Sequence, residues 1–165
     1  MTSRNRKLIL IGGFPGTGKT TFWGFLQREC GFVHFDCENP DLFRRIKDDP
    51  AEVLNDILKA GHEVVLTWGF TPGGQSDRVR MFMEHGFKVV WFDGNPEFAR
   101  RAFLGKGGIE ECFNVQMARI QDPQFAESFD PITINPFDES GEFRPPKVIL
   151  EEIEKGLEAQ IPCGT

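Results

Sequence analysis

Short apolar runs alternate along this chain with longer stretches of helical spacing. Five runs read as strands, over residues 7–11, 32–35, 63–67, 87–92 and 131–134. Each is brief and rich in Val, Ile and Phe, as expected of strands covered on both faces. The intervals between them read as helices. The first begins inside a glycine-rich loop and runs to about Cys30, where Gly31 ends it. Asp49-Pro50 combines an N-cap with a proline at the first helical position and opens a helix to Ala60, with Gly61 just beyond. Gln75 or Ser76 opens another that reaches His85 and closes at Gly86. Asn95-Pro96 repeats the cap-plus-proline signal for a helix through Phe103, and Arg144-Pro145-Pro146 precedes a last helix over 147–159. This alternation predicts an α/β domain with a mainly parallel sheet. No repeat, low-complexity tract or linker interrupts it, so the 165 residues read as one domain, long enough to bury a core.

Composition narrows the setting. Hydrophobic residues make up 39% and charged residues 27%, the balance of a soluble globular protein. Basic residues precede the apolar stretch 8–11, as in a secretion signal, but that stretch is too short for one and runs straight into the glycine loop. No apolar run is long enough to cross a bilayer, so the cytoplasm is the expected location and no membrane partner is expected. A net charge of -6 weighs against a domain that grips long nucleic acid. Cys30, Cys37, Cys112 and Cys163 form no CxxC or Cys/His cluster, so neither a zinc site nor a disulfide framework is indicated. The chain has 17 Phe and no Tyr, which adds apolar filling without polar tips.

One string carries strong chemistry. Gly13-Phe14-Pro15-Gly16-Thr17-Gly18-Lys19-Thr20 fits G-x-x-x-x-G-K-[ST] and lies between a predicted strand and a predicted helix, the context the motif requires. Glycines let backbone N–H groups approach phosphate oxygens, and the helix N-terminus adds its partial positive charge. Lys19 is suited to reach the β- and γ-phosphates, and the Thr20 hydroxyl to ligate Mg²⁺. The expected phosphate-binding set is Gly13, Pro15, Gly16, Thr17, Gly18, Lys19, Thr20 and Thr21. The expected ligand is a nucleoside triphosphate with magnesium. An N-K-x-D guanine motif is absent, and Asn135-Pro136-Phe137-Asp138 lacks its lysine, which favours ATP over GTP.

Beyond that loop, the chain resembles the small P-loop kinases, the group of adenylate, shikimate, gluconate and polynucleotide kinases. Its layout is closest to the polynucleotide-kinase-like and zeta-toxin-like members and to gluconate kinases. The segments that carry the likeness are HFDCENPDLFRR, ILKAGHEVVLTWGF and KVVWFDGNPEFARR, in that order. The resemblance implies a three-layer sandwich around a five-stranded parallel sheet of order 2-3-1-4-5, with a short lid near residues 100–120. It also implies transfer of the γ-phosphoryl of Mg-ATP to a hydroxyl of a small metabolite or nucleic-acid end. Asp36, closing the second strand, would orient that hydroxyl and take its proton. Arg100 and Arg101 would serve the transferring phosphate, only one of them facing the site, with Arg119 a weaker lid candidate. The stretch from Leu104 to Gly108 would let the lid move.

Arg44, Arg45 and Arg78 are candidates for an anionic group on the acceptor, with Arg80 close by, and Trp68 and Phe70 are candidates to stack on an acceptor ring or to pack. Residues 135–138 lie where the resemblance places the adenine. Several relatives end strand three with an acid that supports magnesium, whereas Leu66-Thr67-Trp68-Gly69 has none. Metal support would then rest on Thr20, Asp36 and water. Two alternatives stay open: a nucleotide-binding regulatory module with little catalysis, and a nucleoside monophosphate kinase. The small insert between Asp36 and Pro50 disfavours the second.

Overall fold

The computed structural model describes residues 5–159; Cys163 lies outside them. Its strands are β1 (Lys7–Gly13), β2 (Val33–Asp36), β3 (Glu63–Thr67), β4 (Lys88–Phe92) and β5 (Ile132–Ile134), all parallel in the order β2-β3-β1-β4-β5. This is the sheet expected above. Leu8 to Ile11 in β1, Val64 to Leu66 in β3 and Val89 to Phe92 in β4 are buried without a break. Consecutive burial means that both faces of these strands are covered. The outer strands β2 and β5 are only partly buried.

Eight helices accompany the sheet among the described residues: α1 (Lys19–Glu29), α2 (Pro40–Asp48), α3 (Pro50–Ala60), α4 (Ser76–Glu84), α5 (Pro96–Gly105), α6 (Glu110–Ile120), α7 (Pro123–Glu127) and α8 (Pro146–Ala159). Four of them start with one device. Asn39, Asp49, Asn95 and Asp122 each precede a proline and accept hydrogen bonds from first-turn N–H groups. A side-chain oxygen thereby satisfies donors that the helix leaves unpaired. The sequence reading used this signal at Asp49 and Asn95 and passed over it at Asn39 and Asp122. α7 buries only Phe125 and is too short to show an apolar period, whereas α2 sets Leu42 and Phe43 at helical spacing from its buried Ile46. The start of α6 is unmarked as well, because Ile109 provides no side-chain cap.

The chain forms two compact units. One comprises residues up to Gly12 with Thr20–Val89; the other comprises Gly13–Lys19 with the chain from Val90 onward. In the first, strands β1, β3 and β2 pair with Ile11, Thr67 and Asp36 in one row. In the second, Ala99, Phe113, Met117 and Phe137 make a core against which Phe14, Phe98, Ala102 and Phe103 pack. No helix among the described residues is long and apolar enough to cross a membrane.

Candidate functional site

The glycine loop leaves β1 at Gly13 and turns into α1. The Phe14 N–H donates to the Phe92 carbonyl at 2.8 Å, which pins the start of the loop to β4. Gly16 has φ +73°, and a methyl group there would lie 2.1 Å from the Ala99 carbonyl oxygen, so α5 abuts the bare loop backbone. Thr17 is a buried polar residue whose hydroxyl donates to the Phe14 carbonyl at 2.7 Å. The Lys19 ammonium folds over the loop and donates to the carbonyls of Phe14 and Gly13. Among the described residues, the N–H groups of Gly16, Thr17 and Gly18 donate to no protein acceptor. Three consecutive open donors ahead of a helix N-terminus are what a phosphate group takes up. Pro15 is buried, while Thr20 and Thr21 are exposed in the first turn of α1.

An aromatic wall adjoins this loop within the same unit. The connection from β5 to α8 folds back on itself through a bridge between Phe137 and Phe143. Asp138 holds its tip, accepting from Ser140 and from the Glu142 N–H, and these bonds keep its carboxyl below the usual range. At the base, Arg144 donates to the Asn135 carbonyl and pairs with Glu152. Phe143 therefore projects as a 43% exposed ring, stacked on Phe137 and close enough to Gly18 that a methyl there would sit 2.9 Å away. The Lys106 ammonium lies 5.8 Å from the Phe143 ring centre. Phe143 carries no mark of its own in the sequence; a lone Phe among 17 gives no signal before the hairpin folds.

The two arginines of α5 have different surroundings. Arg100 is paired with Glu97 and Glu110, which hold its guanidinium on the helix surface. Arg101 lies over the Phe98 ring and against Gly141, in the wall that leads to Phe143. The structure therefore brings Arg101 toward the loop's surroundings and leaves Arg100 in an ion-pair cluster. Arg119 is exposed on α6.

In the other unit, Asp36 closes β2 beside Thr67 and, through it, Ile11. It is exposed, and one carboxylate oxygen accepts the Glu38 N–H at 2.9 Å. Glu38 lies against Gly69, where a methyl group would sit 2.5 Å from Oε1. A second carboxylate thus stands at the end of β3. Its only prior signal was the Asp-x-Glu spacing, which the sequence reading did not use. Cys37 between them is buried; burial above all, and then the Asp36 and Glu38 charges, push its thiol pKa well up. His34 stacks on Trp23 with ring centres 3.8 Å apart. Burial lowers its pKa against the opposing pull of Asp36.

Several acceptor-side candidates prove to be occupied. Trp68 is 3% exposed and meets Phe43 and Phe82 edge-on, so its ring belongs to the core and does not present a face to an acceptor. Phe70 is buried too. Arg44 pairs with Asp41 and Arg45 with Asp56, both on the surface. Arg78, half-buried on α4, makes no ion pair among the described residues. A cleft of about 430 Å³ opens beside Phe14 and Trp91, but Asp93, Asp122, Glu127 and Asp130 line it. That charge repels phosphate, so the cleft is not a phosphate site.

No protein-family model matches the chain, and neither does any curated protein sequence. Solved structures do match. A gluconokinase from Sinorhizobium meliloti 1021 superimposes with TM-score 0.60 and 19% identity over 94% of each chain. A shikimate kinase from Acinetobacter baumannii in complex with shikimate gives 0.59 and 15%, over 95% of this chain and 97% of that one. One from Aquifex aeolicus gives 0.56 and 22%, over 94% and 99%. At such identities the likeness establishes the fold, and the fold is that of the small P-loop kinases.

Proposed function

We propose that this protein is an ATP-dependent phosphotransferase that moves the γ-phosphoryl group of Mg-ATP to a hydroxyl of a small metabolite. The observation that carries the reading is the phosphate loop itself: open N–H groups at Gly16, Thr17 and Gly18 beside the Lys19 ammonium. The loop would hold the β- and γ-phosphates. The base would stack on Phe143, with Lys106 and Arg101 as neighbouring cations. In the reaction, the acceptor oxygen bonds to the γ-phosphorus as the bond to the β–γ bridging oxygen breaks. ADP leaves, and Asp36 takes the hydroxyl proton.

The donors suit magnesium. Among the described residues no group of three or more His, Cys, Asp or Glu could hold a metal unaided. Mg²⁺ bound through nucleotide phosphates keeps most of its water and needs only one or two protein oxygens, here the Thr20 hydroxyl above all. When bound, it would neutralise charge on the β- and γ-phosphates.

Likeness to a gluconokinase and to shikimate kinases supports a small hydroxy acid as the acceptor. Arg78 is the cation we assign to its carboxylate, since Arg44 and Arg45 already have partners. Glu38 joins Asp36 as a second acceptor for substrate hydroxyl groups. The test is ADP release measured with hydroxy acids, sugars, nucleosides and nucleoside monophosphates. The expected result is stimulation by a hydroxy acid, abolished by Lys19→Ala and reduced about 100-fold or more by Asp36→Asn. Full turnover in Asp36→Asn would remove the assigned base. ATP binding with no stimulation by any acceptor would favour a nucleotide-binding module, a reading that the ion-paired Arg100 and the lack of an acid within Leu66-Thr67-Trp68-Gly69 support.

A further inference from the structure

The cleft that repels phosphate has a chemistry of its own, and every residue lining it belongs to one compact unit. Trp91 and Thr133 stand in register on β4 and β5, so they point to the same face of the sheet and form the floor. Phe14, Ile120 and Ala126 continue that floor as apolar walls. Phe14 meets Trp91 edge-on, which fixes the corner between loop and strand. The carboxylates of Asp93, Asp122, Glu127 and Asp130 stand around this surface, and no lining residue is basic. A space of about 430 Å³ is the size that holds a small organic molecule.

Two of these carboxylates are uncompensated. Among the described residues, Asp93 and Glu127 form no ion pair. Asp93 is half-buried, and its carboxyl meets only the backbone N–H groups of Gly94 and of Asp93 itself. Burial raises its pKa in spite of those bonds, so the fold bears a cost that a cation in the cleft would remove. A bare metal ion is a poor occupant. Among the described residues no group of three or more His, Cys, Asp or Glu could hold one, and it would leave the apolar floor uncovered. An ammonium group on an apolar body satisfies both halves of the surface. We propose that this cleft binds a small organic ammonium ion, its apolar body on the Trp91 and Phe14 floor and its charge toward Asp93 and Glu127. The inference does not depend on the phosphotransferase reading.

Indole N–H signals in ¹H–¹⁵N NMR test it, because Trp91 is the tryptophan that lines the cleft. Loss of one signal in Trp91→Phe assigns it. The probes are benzylamine, which is protonated at neutral pH, its uncharged isostere benzyl alcohol, and calcium chloride. Benzylammonium should shift the Trp91 signal saturably, and the other two should not. Asp93→Asn should weaken it about tenfold or more, the loss expected of a hydrogen bond to a charged group. Glu127→Gln, at an exposed position, should weaken it about two- to fivefold. Asp93→Asn should lose this affinity without melting lower, so the loss cannot be put down to a damaged fold. Equal binding of benzyl alcohol overturns the proposal and leaves an apolar cavity. A calcium shift as large as that of benzylammonium overturns it in favour of a metal. An unmoved Trp91 signal, or full affinity in both carboxylate variants, overturns it as well.

Discussion

Two glycines with nearly the same backbone allow crowding at the phosphate loop to be separated from backbone strain. Gly16 has φ +73° and Gly31 has φ +76°. An alanine at either position pays the left-handed conformational cost of about 1 kcal/mol or somewhat more. At Gly31, which follows α1, an added Cβ meets nothing within 4 Å, so that cost stands alone. At Gly16 the Cβ would lie 2.1 Å from the Ala99 carbonyl oxygen and 2.9 Å from Phe103 Cβ. The first contact is backbone of α5, which cannot rotate away as a side chain would. Either the loop or the helix must move by more than an ångström. Overpacking of this kind adds about 1–3 kcal/mol, giving about 2–4 kcal/mol in total. A chain of this size loses roughly 2–4 °C of Tm per kcal/mol. Gly31→Ala should therefore lower Tm by about 2–4 °C and Gly16→Ala by about 4–16 °C. Differential scanning calorimetry measures both, and ATP titration should show weakened binding only for Gly16→Ala. Equal losses in the two variants would refute the contact between α5 and the loop.

Other consequences follow from the same geometry. Phe143→Ala should weaken ATP about 5- to 150-fold, the span of aromatic–base stacking, while inorganic tripolyphosphate binds as before; equal weakening of both would place the base elsewhere. Cys37, buried and with its thiol pKa pushed up, should resist iodoacetamide at pH 8 while exposed Cys112 is alkylated, as peptide mass spectrometry can read. Asp93 has a pKa raised chiefly by burial, against opposing backbone hydrogen bonds at Gly94 and its own N–H. The folded state then holds the proton more tightly than the unfolded one, so stability falls as pH climbs from the ordinary carboxylate pKa to the raised value. Asp93→Asn should accordingly raise Tm at pH 7 and change it little at pH 3; a lowered Tm at pH 7 would contradict the burial cost.

Much of this protein was legible before folding. Strand positions came within two residues at every end, because runs such as Glu63–Thr67 combine β-branched bulk with turn residues at both sides. The Asp49 and Asn95 caps held because an N-cap and its proline act within one helical turn. The phosphate loop was legible for the same reason, since its function lies in consecutive backbone groups. Side-chain partnerships were not. Arg100 and Arg101 are adjacent and chemically identical, yet Glu97 and the more distant Glu110 hold one while Phe98 and Gly141 receive the other. Trp68 could have faced a ligand or the core, and Phe43 and Phe82 decided for the core. Phe143, Glu38 and the His34–Thr67 contact became visible only once distant segments met. The sequence by itself determined the sheet and the course of the glycine loop, both of which depend on local pattern. The tertiary structure decided which charges and rings remain open to a substrate, because that depends on partners the chain brings from elsewhere.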